Sequence, residues 1–201
     1  MKINSLVVKN YRTLEDCIFN FPDNYCAISG KNNAGKSNLI KALRIFFFDN
    51  DGFYGFGDDT TISHKKDLPQ WITGKQHQKS NIPQITFNLH IKIYNNVDSS
   101  LFLYIQKFLE AGKLEEEISL DFGLIYDAGK SEPIRSLVCN GITISDEFKI
   151  EDAHRKLKTS DALVFYNSTK NSPYLNERMK IFSFAQTLTA DDEEKLKKKE
   201  N

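Results

Sequence analysis

Apolar residues gather in two short runs in the first part of the chain, at 3–9 (Ile3, Leu6, Val7, Val8) and at 17–21 (Cys17, Ile18, Phe19, Phe21). This pattern predicts two short strands flanking the polar turn Asn10-Tyr11-Arg12-Thr13. A third strand, Tyr25-Cys26-Ala27-Ile28, runs directly into Ser29-Gly30. The period then changes. From Lys36 to about Asp49, Leu39, Leu43, Phe46 and Phe47 recur at helical spacing, with Ile40 beside them. Phe46, Phe47 and Phe48 read as the core face of that helix rather than as a partner-binding box.

Residues 50–81 are rich in Gly, Asp, Lys and Gln and show no period, so they read as a long excursion. Clean alternation is found at 84–94 (Ile85, Phe87, Leu89, Ile91, Ile93) and at 118–126 (Ile118, Leu120, Phe122, Leu124, Tyr126), with one or two more strands over 134–145. Antiparallel sheet is the natural setting for such strands. Residues 98–112 and 149–158 follow a helical pattern. The continuous apolar run Ala162-Leu163-Val164-Phe165-Tyr166 predicts a strand buried on both faces. The tail from Thr189 to Asn201 has acids first and lysines last, as a helix dipole favours, but Leu196 is its only large apolar side chain. We expect 1–188 to form one domain and 189–201 a charged helix, the possible start of a helical or coiled-coil insertion.

The chemistry is concentrated in one loop. Gly30-Lys31-Asn32-Asn33-Ala34-Gly35-Lys36-Ser37 fits G-x-x-x-x-G-K-[ST] at every defined position, and Asn38 follows it. Two glycines let the backbone curl so that successive amides point inward at phosphate oxygens. The helix opening at Lys36 turns its unpaired amides and positive dipole end to the same anion. Lys36 is expected to serve the β- and γ-phosphates as the catalytic cation, and the Ser37 hydroxyl to ligate Mg²⁺. The apolar strand before the loop and the apolar-periodic helix after it separate this reading from a chance glycine turn. The fold class that follows is α/β: a P-loop NTPase with a mixed central sheet around the nucleotide and an antiparallel β subdomain.

A complete ATPase of this type also needs a second apolar strand ending in Asp-Glu. The nearest segment, Leu124-Ile125-Tyr126-Asp127, lies in an alternating stretch, whereas a strand beside the loop strand would be apolar throughout. Ala128 stands where the second acid is expected, and no Ser-Gly-Gly run is present. The chain reads as half of an ATPase, inactive in isolation.

Lys and Arg number 27 and Asp and Glu 27, so no global field draws the protein to nucleic acid, and any DNA contact must use a local patch or a partner. Three cysteines without C-x-x-C spacing fit a reducing compartment and argue against a disulfide framework or a zinc site. With no apolar run approaching 18 residues and no signal-peptide pattern, the chain reads as cytosolic, with no membrane partner. The four histidines, 64, 77, 90 and 154, lack metal-ligand spacing and read as structural. In Ser63–Ser80, the cations Lys65, Lys66, Lys75 and Lys79 surround Trp71 with a single acid, Asp67. A nucleic-acid grip is one reading; a solvated loop with Trp71 tucked inward is the plainer one.

Lys2–Leu14 resembles the opening strand and Asn-Phe-Arg-Ser turn of the SMC, RecF and OLD-type ATPases, and Tyr25–Leu43 their next strand, Gly-x-Asn-x-x-Gly-Lys-Ser loop and helix. The resemblance covers about the first 48 residues. It implies a P-loop NTPase of the ABC-ATPase type, an ATP-Mg²⁺-dependent head that dimerises around two nucleotides, works on or near DNA, and often serves DNA repair or phage defence. It places Asn33 in the phosphate loop and brings Arg12 toward the phosphates. It also implies a longer parent protein carrying the second catalytic half, with a nuclease region of Toprim type as a further partner. The strand at 162–166 would then end in a switch segment whose Asn167, Ser168 and Thr169 face the γ-phosphate or Mg²⁺, though a plain strand-end turn is the simpler reading. Three other classes remain open. A stand-alone kinase or GTPase lacks an identifiable base, and His64-Lys65-Lys66-Asp67 misses the guanine-reading pattern by its first residue. A transporter's nucleotide-binding subunit would not carry the Asn-Tyr-Arg turn. A nucleotide-gated interaction module without turnover is the third.

Overall fold

The structure, a computed structural model, describes residues 1–22, 26–32, 34–47, 62–73, 82–107, 116–128, 130 and 132–159. Two long strands, β1 (Lys2–Tyr11) and β2 (Leu14–Asn20), form a hairpin closed by Arg12 and Thr13. Helix α1 (Lys36–Phe47) follows the phosphate loop. Two single-turn helices, α2 (His64–Asp67) and α3 (Gln70–Thr73), interrupt the stretch that carries no period in the sequence. Then come β3 (Ile85–Tyr94), α4 (Ser99–Gln106), β4 (Glu117–Tyr126), β5 (Ile134–Cys139), β6 (Ile142–Thr143) and α5 (Glu147–Lys158).

The strands form one sheet in the order β2-β1-β3-β4-β5-β6, and every pairing is antiparallel. Because side chains alternate between faces, the register fixes which residues share the core. Leu6, Leu89, Phe122 and Leu137 lie in one cross-strand row, and Val8, Phe87 and Leu124 in the next. These residues are buried, and α1, α4 and α5 cover their face of the sheet. Leu39, Leu43, Phe46 and Phe47 are the buried stripe of α1, as their spacing predicts, while Phe48 lies outside the described residues. Helix α5 buries Ile150, Ala153, His154 and Leu157, and Asp146 caps it by accepting from the amides of Phe148 and Lys149. Tyr104 of α4 donates a hydrogen bond to Asp152 of α5, tying the two helices together.

The other face of the sheet is open and polar. Its rows include Val7–Asn88–Gly123–Ser136 and Ser5–His90–Asp121–Val138. His90 Nδ1 meets Asp121 Oδ1 at 2.6 Å, and Lys92 pairs with Glu117 at 2.5 Å. Ser119 Oγ lies 3.5 Å from His90 Nε2, but this row follows from cross-strand neighbours on an open surface, and we assign it to surface pairing.

The antiparallel part of the expected architecture is present. The parallel part would fall on Tyr25–Ile28 and on 162–166. Residues 162–166 lie outside the described residues, as do Tyr25, the segment 167–169, the boundary at 188/189 and the tail. The described part of the first segment corrects the reading: Cys26, Ala27 and Ile28 join no ladder and are exposed. An apolar run becomes a strand only where a neighbouring backbone accepts its hydrogen bonds, and none of the described strands lies beside it. No helix among the described residues is long and apolar enough to cross a membrane.

Candidate functional site

The loop before α1 is built around two glycines with backbone angles that other residues rarely adopt, φ +154° at Gly30 and +89° at Gly35. Gly35 is also pressed from behind. A Cβ there would stand 2.9 Å from Leu14 Cδ2 and 2.9 Å from Thr13 Oγ1. Its carbonyl accepts the first intrahelical bond, from the Leu39 amide at 2.9 Å, so Gly35 is the cap of α1. The amides of Lys36, Ser37 and Asn38 therefore precede the first helical acceptor and belong to the orphan donors of the first turn. The loop tightens on itself through Ala34 N–H donating to Lys31 O at 3.2 Å.

Lys36 folds back over this loop. Its ammonium donates to the carbonyl oxygens of Gly30 and Lys31, each at 2.6 Å. Thr13, Asn32, Ala34, Gly35, Lys36, Ser37 and Asn38 line a pocket of about 360 Å³, within the range of small-molecule sites. Exposed Ser37 stands one residue into the helix, on the pocket wall. The arrangement fits a triphosphate with its magnesium ion: curled glycines, orphan amides at a helix mouth, one mobile cation and one hydroxyl. No carboxylate lines the pocket among the described residues, and none of them form a group of three or more metal-ligating side chains.

Of the residues singled out by sequence, Lys31 and Asn32 are exposed on the loop, and Asn38 is half-buried beside it. Asn33 lies outside the described residues. Arg12 is placed in the β1–β2 turn, where its Nε donates to Asp67 Oδ1 at 2.7 Å and its guanidinium stands 5.3 Å from the Tyr11 ring centre. Tyr11 itself is buried edge-on against Phe87, and burial pushes its hydroxyl up to about 12, so it stays protonated. Sequence reasoning missed Thr13, the other half of the turn. Its hydroxyl accepts from Asn38 Nδ2 at 2.8 Å and forms part of the pocket wall.

The turn is unusual in its residues. Tyr11 pairs with Leu14, leaving a two-residue loop with positive φ (+54°) at its first residue, Arg12, and not at its second. Glycine is the ordinary occupant of that position in a hairpin, and a side chain there costs about 1–2 kcal/mol.

The excursion supplies what holds it. Asp67, 2% exposed, accepts from Arg12 Nε through one carboxylate oxygen and from the Ser63 amide at 2.8 Å through the other, and its carbonyl accepts from the Arg12 amide at 2.6 Å. Leu68 and Ile72 are buried beside it, and His64 Nε2 lies 3.0 Å from Tyr126 O. So this part of 50–81 is anchored rather than solvated. The side chains of Lys65 and Trp71, and residues 74–81 with Lys75, His77 and Lys79, lie outside the described ones.

Compared with known proteins, residues 1–201 match the family model described as AAA ATPase domain. No curated protein matches the chain. Among solved structures, it is similar to the recombination mediator protein RecF with ATP, in the RecFOR pathway (13% identity, TM-score 0.39), and to RecF-ATPrS of the same pathway (15% identity, TM-score 0.37). Each match covers 74% of this chain and 29% of the RecF chain, so this chain spans less than a third of their length.

Proposed function

We propose that this chain, which belongs to the AAA ATPase domain family, is the ATP-Mg²⁺-binding part of an ATPase head whose hydrolytic centre is completed by groups that its described residues do not bring to the pocket. One observation carries the reading. The loop at 30–38 offers amides, a lysine and a hydroxyl to a polyphosphate, yet no acid stands among the described pocket residues to hold the second side of magnesium or to activate water. The chain's own residues would bind and orient. Lys36 would leave the Gly30 and Lys31 carbonyls for the phosphates, Ser37 would ligate Mg²⁺, and Asn38 and Thr13 would close the wall. Bound magnesium would supply charge neutralisation for phosphoryl transfer.

The finer parts rest on the resemblance of the first 48 residues to the SMC, RecF and OLD-type ATPases. They are a homodimer through ATP-bound heads, work on or near DNA in repair or phage defence, a nuclease domain or subunit as partner, and a cytoplasmic setting. Nucleotide titration of the 201-residue chain tests the core claim. ATP-Mg²⁺ binds, Lys36→Ala abolishes binding, and turnover is negligible with or without DNA. Vigorous hydrolysis by the isolated chain would refute the incomplete-centre reading, and preference for GTP over ATP would favour a kinase or GTPase instead.

A further inference from the structure

The phosphate loop is not supported by its own segment alone. Its back rests on Thr13 and Leu14, which leave no space for a Cβ at Gly35, and Asn38 is tied to the Thr13 hydroxyl. The turn carrying Thr13 keeps a strained backbone at Arg12, and the bonds that hold that strain in place come from Asp67, 55 residues away. Asp67 is a buried carboxylate whose bonds go to Arg12 and to the Ser63 amide at the start of its own helical turn. A buried charge of this kind fixes geometry firmly, because moving either partner leaves it uncompensated.

We propose that Asp67 is a positioning residue for the nucleotide pocket: by fixing the Arg12–Thr13 turn against the loop, it sets triphosphate affinity without touching the ligand. Residues 62–73 are thereby part of the site, and a change in their placement is transmitted to the phosphates through Arg12 and Thr13. The proposal rests on the ATP-binding reading above and names a determinant that this reading does not contain.

The test is a set of titrations of the full chain with ATP-Mg²⁺ and with inorganic tripolyphosphate. Binding by the wild type and its loss in Lys36→Ala establish the site; without that binding, the reading of the previous subsection fails, and this proposal with it. Given binding, Asp67→Asn weakens both ligands by a common factor of roughly tenfold, as expected when the phosphate cradle itself is displaced. Asp67→Glu, which keeps the charge, recovers most of the affinity. In an Arg12→Gln background, Asp67→Asn adds little, because the effect runs through Arg12. A folded Asp67→Asn protein with wild-type or tighter affinity overturns the proposal. So do full additivity with Arg12→Gln and a loss in Asp67→Glu as deep as in Asp67→Asn. If Asp67→Asn does not fold, Thr13→Val decides: this residue is exposed, and the variant keeps the side chain's volume in the pocket wall while removing the acceptor for Asn38. Weakened binding in Thr13→Val supports the relay, and unchanged binding overturns it.

Discussion

His154 is a buried base in the core of α5, and acid should find it. Its ring is 5% exposed, stands edge-on to Phe122 with centroids 4.9 Å apart, and lies with Nε2 3.2 Å from the Ser136 carbonyl. A carbonyl only accepts, so the neutral ring carries its proton on Nε2. Burial lowers the pKa to about 4, with Arg135 and Lys158 pushing the same way and the Ser136 bond opposing them. In the unfolded chain the ring titrates near 6.5. As pH falls below that value the unfolded state takes up a proton that the folded state refuses, so stability drops through the window from 6.5 to about 4. At about 1.4 kcal/mol per pH unit the full loss is roughly 3 kcal/mol, and roughly 2 kcal/mol of it is gone by pH 5.

Urea unfolding at pH 7.5 and pH 5.0 measures this directly, with His154→Gln as the comparison. Glutamine can still donate to Ser136 but does not titrate. The wild type loses about 2 kcal/mol between the two conditions more than the variant does. The other histidines are common to both proteins and cancel in the difference. The two carboxylates with displaced values do not confuse the comparison between pH 7.5 and pH 5.0. Asp152 is held below its ordinary 3.8 by the Arg155 hydrogen bond and Glu117 below 4.5 by the Lys92 hydrogen bond, so their contributions are present above those values and fade only at lower pH. Equal losses in wild type and variant, or a wild type that gains stability on acidification, would show the reasoning to be wrong.

Two glycine substitutions make opposite predictions. Gly35→Ala combines a disfavoured φ with contacts against buried Leu14 and the tied Thr13 hydroxyl, so it costs about 2–4 kcal/mol and removes nucleotide binding; denaturation and ligand titration check both. Gly123→Ala would press on Ser136 Oγ and Asn88 Oδ1, two polar ends that can swing aside on the open sheet face. It costs about 1 kcal/mol and leaves ligand affinity unchanged, as the same two assays will read.

The strands and the two long helices were legible because their burial is periodic. The alternation of Ile85, Phe87, Leu89, Ile91 and Ile93 predicts β3 and its buried face, and the stripe from Leu39 to Phe47 predicts α1. The loop was legible because its chemistry is local: eight consecutive residues carry it. Cys26–Ile28 misled because an apolar run reveals a wish to be buried but not whether a neighbouring backbone is there to pair with it. The single-turn helices α2 and α3 carry too few residues for a period to show. The Arg12–Asp67 pair spans 55 residues, and no local pattern encodes it. A clue was nevertheless present, since Asp67 is the lone acid among many cations in 63–80, and isolated charges of that kind often answer a distant partner. Thr13 escaped notice because an exposed threonine in a turn has no signature of its own.

The posture of Lys36 has a consequence for what the pocket will accept. Its ammonium already has two oxygen ligands, so capturing an anion is an exchange rather than a neutralisation of a bare charge. Chloride or a single sulfate offers little over two carbonyls in a curled loop. A chain of phosphates that also met the helix-mouth amides, as proposed above, would offer far more. On the proposed reading, the contact of Lys36 with the Gly30 and Lys31 carbonyls is the one that a polyanion would displace.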